Sequence, residues 1–288
     1  MPAPATPEKS GAQSGALARR IISALILAPL VLGLVYGGGW PFLLMMAAAG
    51  VIMTAEWVAL VFGATPSAPR RAEFWLVAAT AVLATLLMPV APLAALGLAG
   101  TGLGLGIAWR TMNRQPVGAL AFGVPYLVLP LIAMVWLRAD PVYGRWVLFW
   151  LLATVWATDI CAYFTGRAIG GPKIAPIFSP SKTWAGLGGG MAGAAAVGVV
   201  TATLLGADGS PVALALLGAG LAAVAQIGDF TESALKRRAG VKDSGTLIPG
   251  NGGILDRVDG LMFAAVGAAI VALVHQGPSL AAGVLIWQ

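Results

Sequence analysis

Long apolar stretches, broken by short polar or charged segments, recur along the chain from Ile21 to Val274. A helix needs about 20 largely apolar residues to cross the hydrocarbon core of a bilayer. On that criterion nine segments predict spans: Ile21–Tyr36, Trp40–Phe62, Phe74–Pro89, Leu93–Trp109, Gly118–Leu137, Trp146–Phe164, Ala185–Leu205, Val212–Ile227 and Val258–Val274. The first, third, fourth and eighth are short, so their ends are soft. A soluble protein with buried helices cannot cover this many apolar runs. Composition agrees, with 59% hydrophobic residues and a mean hydropathy of +0.88, well outside the soluble range. The expected fold class is therefore all-α, a polytopic integral membrane protein of about nine transmembrane helices.

The basic residues orient the spans. A cytoplasmic N-terminus puts 15 of the 17 Lys and Arg residues on the inside, leaving out Arg138 and Arg145. The net charge of +6 thus reads as a topology signal and gives no case for nucleic acid as a partner. Residues 1–18, rich in Pro, Ala, Ser and Gly, read as a disordered cytoplasmic tail. Arg19 and Arg20 precede a first helix expected to be retained instead of cleaved as a signal peptide. A lone cysteine, Cys161, excludes an intrachain disulfide and a thiolate metal cluster. The lone His275, late in the last span, reads as a packed or interfacial residue.

Polar chemistry divides the chain into a transmembrane scaffold over 19–145, about five helices with little inside them but Glu56, and a chemical region over 146–288. Only 28 of 288 residues are charged, and ten of those fall between Asp229 and Asp259. The segments 165–184 and 230–257 are expected as two cytoplasmic polar loops. In the first, Ser179, Ser181, Lys182 and Thr183 precede a helix start, a composition suited to a phosphate oxyanion; a positively charged inside loop capped by Thr183 explains the same residues. In the second, Asp229 and Glu232 lie three apart, as do Asp256 and Asp259, so each pair shares a helix face. Carboxylates of this kind suit Mg²⁺, which takes one or two of them together with substrate phosphates. Lys236, Arg237 and Lys242 stand between the pairs as candidates for the remaining phosphate charge. Pro249-Gly250-Asn251-Gly252-Gly253 reads as a turn that lets backbone approach a ligand closely. An interfacial helix facing anionic lipid accounts for the lysines but leaves the carboxylates at span ends unexplained.

The stretch S-x-L-K-R-x4-K-D-x-G-x2-I-P-x-N-G-G-I-x-D-R-V-D, from Ser233 to Asp259, resembles the signature of the CDP-diacylglycerol synthase (phosphatidate cytidylyltransferase) family. Upstream, the block from Trp156 through Asp159 and Tyr163 to Arg167, the block Ser179 to Gly186, and Gly228-Asp229 with Glu232-Ser233 are similar to further family blocks. The resemblance implies transfer of CMP from CTP to phosphatidic acid, giving CDP-diacylglycerol and pyrophosphate in phospholipid biosynthesis. It also implies Mg²⁺, with a second cation, monovalent or otherwise, left open, and a homodimer. The expected location is the plasma membrane (the inner membrane of a bacterial cell), with the active site facing the cytoplasm. On this reading Asp229, Asp256, Lys242 and Lys182 are catalytic, and Asp229, Asp256 and Asp259 hold metal. Ser179, Ser181, Lys182, Thr183, Lys236, Arg237, Lys242, Asn251 and Arg257 bind substrate.

Two polyanions must meet in line, so charge neutralisation and positioning dominate and no covalent enzyme intermediate is required. Asn251 stands where the family usually has His. Asn hydrogen-bonds but does not shuttle protons near neutral pH, and the attacking phosphate oxygen is already anionic, so position 251 is expected to shape a turn. Four alternatives remain open from the residues: a transporter of an ion or anionic solute, a CDP-alcohol phosphotransferase, a non-catalytic lipid-binding scaffold, and a diverged inactive homologue. The phosphotransferase pattern is absent, because Asp259-Gly260 lacks the Ala-Arg that should follow.

Overall fold

The computed structural model describes residues 8–63, 68–206, 209–248, 250–275 and 277–287, with backbone alone over 8–21 and 68–71. Ten helices and one short hairpin follow in order: α1 Glu8–Gly37, α2 Gly39–Phe62, α3 Ala68–Leu87, α4 Pro92–Met112, α5 Gly118–Arg138, α6 Gly144–Ala168, β1 Lys173–Ala175, β2 Ser179–Thr183, α7 Trp184–Leu205, α8 Pro211–Arg238, α9 Leu255–Val274 and α10 Ala282–Leu285. Helices close their own backbone hydrogen bonds, which a bilayer core demands. Each of the nine expected segments falls on a helix. Among the described residues seven helices are long and apolar enough to cross a membrane, and Ile22–Gly37 and Ala72–Leu87 are shorter apolar helices. The protein is thus an all-α polytopic membrane protein apart from its hairpin.

Three expectations are corrected. Helix α1 begins at Glu8, where composition suggested a tail to residue 18. Past Pro7 no proline interrupts the chain until Pro29, and Glu, Lys, Ala, Gln and Arg are good helix formers. Residues 1–7 lie outside the described part. Helix α8 runs on to Arg238, so the start of the supposed loop at 230 is helical. Its Glu232 and Lys236, four apart, stand 3.2 Å from each other, a spacing that supports a helix. Lastly, the polar segment after α6 holds an antiparallel ribbon pairing Lys173 with Thr183 and Ala175 with Ser179.

Helices α6, α7 and α8 pack most intimately. The buried face of α7 is made of Gly186, Gly190, Ala194, Gly198 and Ala202, small residues that let helix backbones approach closely. The core of the other half is built of large side chains, with Trp57, Leu120, Leu127 and Leu131 fully buried.

At the end of the bundle away from the hairpin, Arg138 caps α1 by donating from Nε to Val35 O at 2.6 Å and from Nη2 to Tyr36 O at 3.0 Å. Asp140, between α5 and α6, accepts from the backbone N–H of Val142, Tyr143 and Ala281 at 2.8–2.9 Å. Burial works to raise its carboxyl. The Ser279 hydroxyl and those N–H groups outweigh burial and hold it below the usual carboxylate range. His275 is packed as expected, stacked on Trp287 with ring centroids 3.9 Å apart.

Candidate functional site

Close approach of α8 and α9 builds the site. At Gly228 any Cβ would collide with the Asp259 carbonyl, so glycine there lets Asp229 and Glu232 of α8 face Asp259 of α9. Thr183 ends β2 as the N-cap of α7, accepting from Gly186 N at 3.0 Å, and this fixes the ribbon beside α8. Lys182 consequently projects onto Asp229, which it contacts directly. Ser233 Oγ donates weakly to the other Asp229 oxygen at 3.4 Å, and the Lys182 ammonium lies 4.9 Å from the centre of the Phe230 ring.

This pair borders a cavity of about 490 Å³. Helix α6 contributes Asp159, Tyr163 and Arg167 to it; the ribbon contributes Lys173, Ser181, Lys182 and Thr183; α8 contributes Gln226 and Asp229. The Arg167 guanidinium donates to Tyr163 Oη at 3.0 Å. Three basic and two acidic side chains thus line one recess, with hydroxyls between them.

A second cluster adjoins it. Asp256 Oδ1 accepts from Lys236 Nζ at 2.6 Å. Asp256 Oδ2 accepts from Ser244 N, Ser244 Oγ and Gly253 N, each at 2.8 Å. The turn carrying Gly253 needs Gly252, whose φ is +82° in the left-handed region that glycine tolerates. Glu56, the lone carboxylate inside the scaffold half's second helix, is buried beneath this turn. It accepts from Ile254 N at 2.9 Å, Leu255 N at 2.8 Å and Ser244 Oγ at 3.3 Å. An anion on the first N–H groups of a helix satisfies both their donors and the helix dipole. Glu56 therefore fixes where α9 begins.

Between the clusters Glu232 is fully buried, and among the described residues neither of its carboxyl oxygens has a hydrogen-bond donor of good geometry. It stands against Lys236 and shares a carboxyl–carboxyl contact with Asp259. Asp259 feels the charges of Asp229 and Lys182, and Asp159 feels Asp229, Lys182 and Arg257. One seam of charge thus runs from α6 through α8 and α9 to α2.

The remaining expected residues are dispersed. Ser179 is buried at the start of β2. Arg237 reaches Phe178 O at 3.4 Å. Lys242 is exposed on the loop. Asn251 Nδ2 donates to Ser23 Oγ at 2.7 Å, and Asn251 O accepts from Arg257 Nε at 3.0 Å; Pro249 lies outside the described residues. Among the described residues no three His, Cys, Asp or Glu side chains are gathered to hold a metal ion. In this arrangement Asp229 stands on the open recess and Asp256 in the neighbouring cluster with Lys236. Both Asp256 oxygens are filled by protein donors, so a cation there would have to displace Lys236. Asp229 and Asp159, which line the same recess, suit Mg²⁺, which needs one or two carboxylates when phosphates complete its shell.

Sequence alone assigns no site role to Glu56, Ser244, Asp159, Tyr163, Arg167, Lys173 or Gln226. For Glu56 and Asp159 a signal existed, since a carboxylate inside an apolar span is costly and marks a pathway or site. Ser244 and Gln226 carry no such mark.

Residues 18–275 match the cytidylyltransferase family. A phosphatidate cytidylyltransferase of Brucella suis is 43% identical over 261 residues, covering 86% of this chain and 90% of the relative. One from Pseudomonas aeruginosa is 35% identical over 261 residues, covering 85% and 93%. One from Bacillus subtilis is 34% identical over 154 residues, covering 54% and 57%.

Proposed function

The chain belongs to the cytidylyltransferase family, and we propose that it transfers the CMP moiety of CTP to phosphatidic acid, releasing pyrophosphate and forming CDP-diacylglycerol. The observation that carries this reading is the recess around Lys182 and Asp229, where Arg167 and Lys173 add positive charge beside carboxylates. A triphosphate needs several cations around it, and an approach of two polyanions needs them fixed in advance. An oxygen of the phosphatidate phosphate attacks the α-phosphorus of CTP, and the bond from that phosphorus to the pyrophosphate oxygen breaks in line. The attacking oxygen is anionic, so no side chain has to remove a proton from it.

Mg²⁺ would be held by Asp229 with Asp159 or Asp259, and it would supply charge neutralisation on the phosphates. Lys182 binds phosphate oxygens and keeps Asp229 aligned. Ser181 and Thr183 donate from the ribbon, and Arg257, Lys242 and Arg237 stand on the side from which the lipid phosphate comes. Asp256 acts differently: it holds Lys236 and the 244–253 turn in place.

Nine spans with a cytoplasmic N-terminus belong to the same proposal, supported by the partition of 15 of 17 basic residues to one side. That topology sets the recess toward cytoplasmic CTP, in the inner membrane of a bacterial cell. A homodimer is proposed as well, in keeping with the exposed Leu93, Leu96 and Leu105 on α4. The test uses purified protein in detergent with labelled CTP, phosphatidic acid and Mg²⁺. CDP-lipid and pyrophosphate should appear in equal amounts and only when both substrates are present. Absence of CDP-lipid with every divalent metal tried would reject the proposal and leave an inactive homologue or a transporter.

A further inference from the structure

A second cavity, about 690 Å³ in volume, lies beneath α1, within the ~300–1,000 Å³ span of ligand pockets. Its walls are apolar apart from Ser23. Ile26 and Leu30 of α1 form one side, and Met45 and Ala49 of α2 the other. Helix α1 packs lightly on the rest of the bundle, and its Ile26 and Leu30 are also exposed, so the groove opens sideways toward lipid. An apolar space of this size does not hold water stably, and left empty it forfeits the dispersion contacts of its lining.

One end of the groove reaches the turn and the start of α9. Leu247 and Ile248 of the turn, with Val258 and Leu261 of α9, line it, while Asp259, next along α9, faces Glu232 in the charged seam. The mouth is where Asn251 meets Ser23 and where the exposed Arg257 is held by the Asn251 carbonyl. An apolar slot ending at a cation beside a nucleotidyl-transfer site matches an anionic lipid, with chain and headgroup in the right order. We propose that this groove seats an acyl chain of phosphatidic acid, bringing its phosphate to the Asn251–Arg257 end of α9; the proposal rests on the cytidylyltransferase reading above. A zwitterionic headgroup would place its own cation against Arg257, so ordinary bilayer lipid is the poorer occupant.

The experiment reads binding, not turnover. Phosphatidic acid carrying a diazirine on one acyl chain is added to the full-length protein, irradiated, and the adducts are mapped by mass spectrometry. Adducts are expected in the segments around Ile26, Leu30 and Ala49, suppressed by unlabelled phosphatidic acid of the same chains and not by the corresponding phosphatidylcholine. Labelling elsewhere, or equal suppression by both lipids, would overturn the inference. Turnover of CTP with labelling outside the groove would reject the groove alone. Labelling in the groove with no CDP-lipid formed would reject the reaction instead.

A narrowed groove supplies an independent check. Ala49→Phe should raise KM for dioleoyl phosphatidic acid about tenfold and leave KM for the dioctanoyl lipid and for CTP unchanged. Leu204→Phe, on the exposed face of α7, should change none of the three. Equal effects of Ala49→Phe on the long and short lipids would again count against the groove.

Discussion

The two charged clusters at the α8–α9 crossing differ in how they are closed. Around Asp256 every acceptor is met by a protein donor: Lys236, Ser244 twice, and Gly253. Glu56 is supplied by the backbone N–H groups of Ile254 and Leu255. Around Asp229, Lys182 and a long bond from Ser233 Oγ serve a carboxylate that borders an open recess, with Asp159 and Asp259 in electrostatic range. A carboxylate already engaged by lysine and backbone donors acts by holding those groups in place. An undersupplied one beside a cavity is left to meet an incoming cation or a phosphate-bound metal. Two aspartates of one sequence motif therefore have different work.

Asp229→Asn is the sharpest test of that division. It should cut kcat/KM by ~10²-fold or more, by removing charge from the reacting phosphates and their metal, with thermal unfolding unchanged. Near-native turnover at saturating Mg²⁺ would put the open cluster outside the chemistry. Asp256→Asn should lose comparable activity for a different reason. It removes the charge facing the half-buried Lys236 and one of the two accepting oxygens, so stability should fall as well, by about 3 kcal/mol. Loss of activity with no shift in Tm would erase the distinction between the clusters.

Glu56→Gln keeps the shape beneath the turn but gives up one acceptor and the charge on the α9 N-terminus. A rate loss of about ten- to hundredfold, at nearly constant KM for CTP, is expected with about 2 kcal/mol of destabilisation. A raised KM for CTP with kcat intact would instead place Glu56 in nucleotide binding. Asn251→His retains a donor toward Ser23 and should stay within about tenfold of native activity, whereas Asn251→Leu should be worse. A new ionisation near pH 6.5 together with a large gain in kcat for the histidine variant would show that a base is needed after all.

Asp140 is a saturated carboxylate remote from both clusters, and it calibrates the closed kind. Asp140→Asn should cost about 1 kcal/mol and leave kcat/KM unchanged. Its carboxyl is held below the ordinary value in the folded protein. Its stabilising contribution is therefore present above about pH 4 and disappears as pH falls through the depressed value. Chemical denaturation between pH 3 and 7 should show that slope in the native chain and a weaker one in the variant.

Residues 165–184 and 230–257 show what patterning reads well and what it misreads. Apolar runs located α1 to α9, to within a few residues where the boundary was a turn or a proline, as at Gly118 and Pro211, and missed the short α10. They failed where a helix left the apolar region and continued in charged residues, as α8 does to Arg238. The hydrophobic pattern marks the bilayer and not the end of the helix. Arg110 reads from the pattern as one more inside charge, yet it is buried against Glu73 at 2.7 Å, so its removal would break a buried pair.

The sequence by itself determined the membrane class, the positions of the long helices, the family and the crowding of charge between Asp229 and Asp259, because these depend on composition, local order and spacing along the chain. Only the tertiary structure decided which carboxylate is closed and which is open. That outcome depends on donors arriving from far along the chain: Glu56 reaches Leu255 across 199 positions, Asn251 reaches Ser23 across 228, and Lys182 meets Asp229 across 47. Spacing within a motif fixes which side chains share a helix face. The packing of α2 and the ribbon against α8 and α9 fixes what those side chains touch.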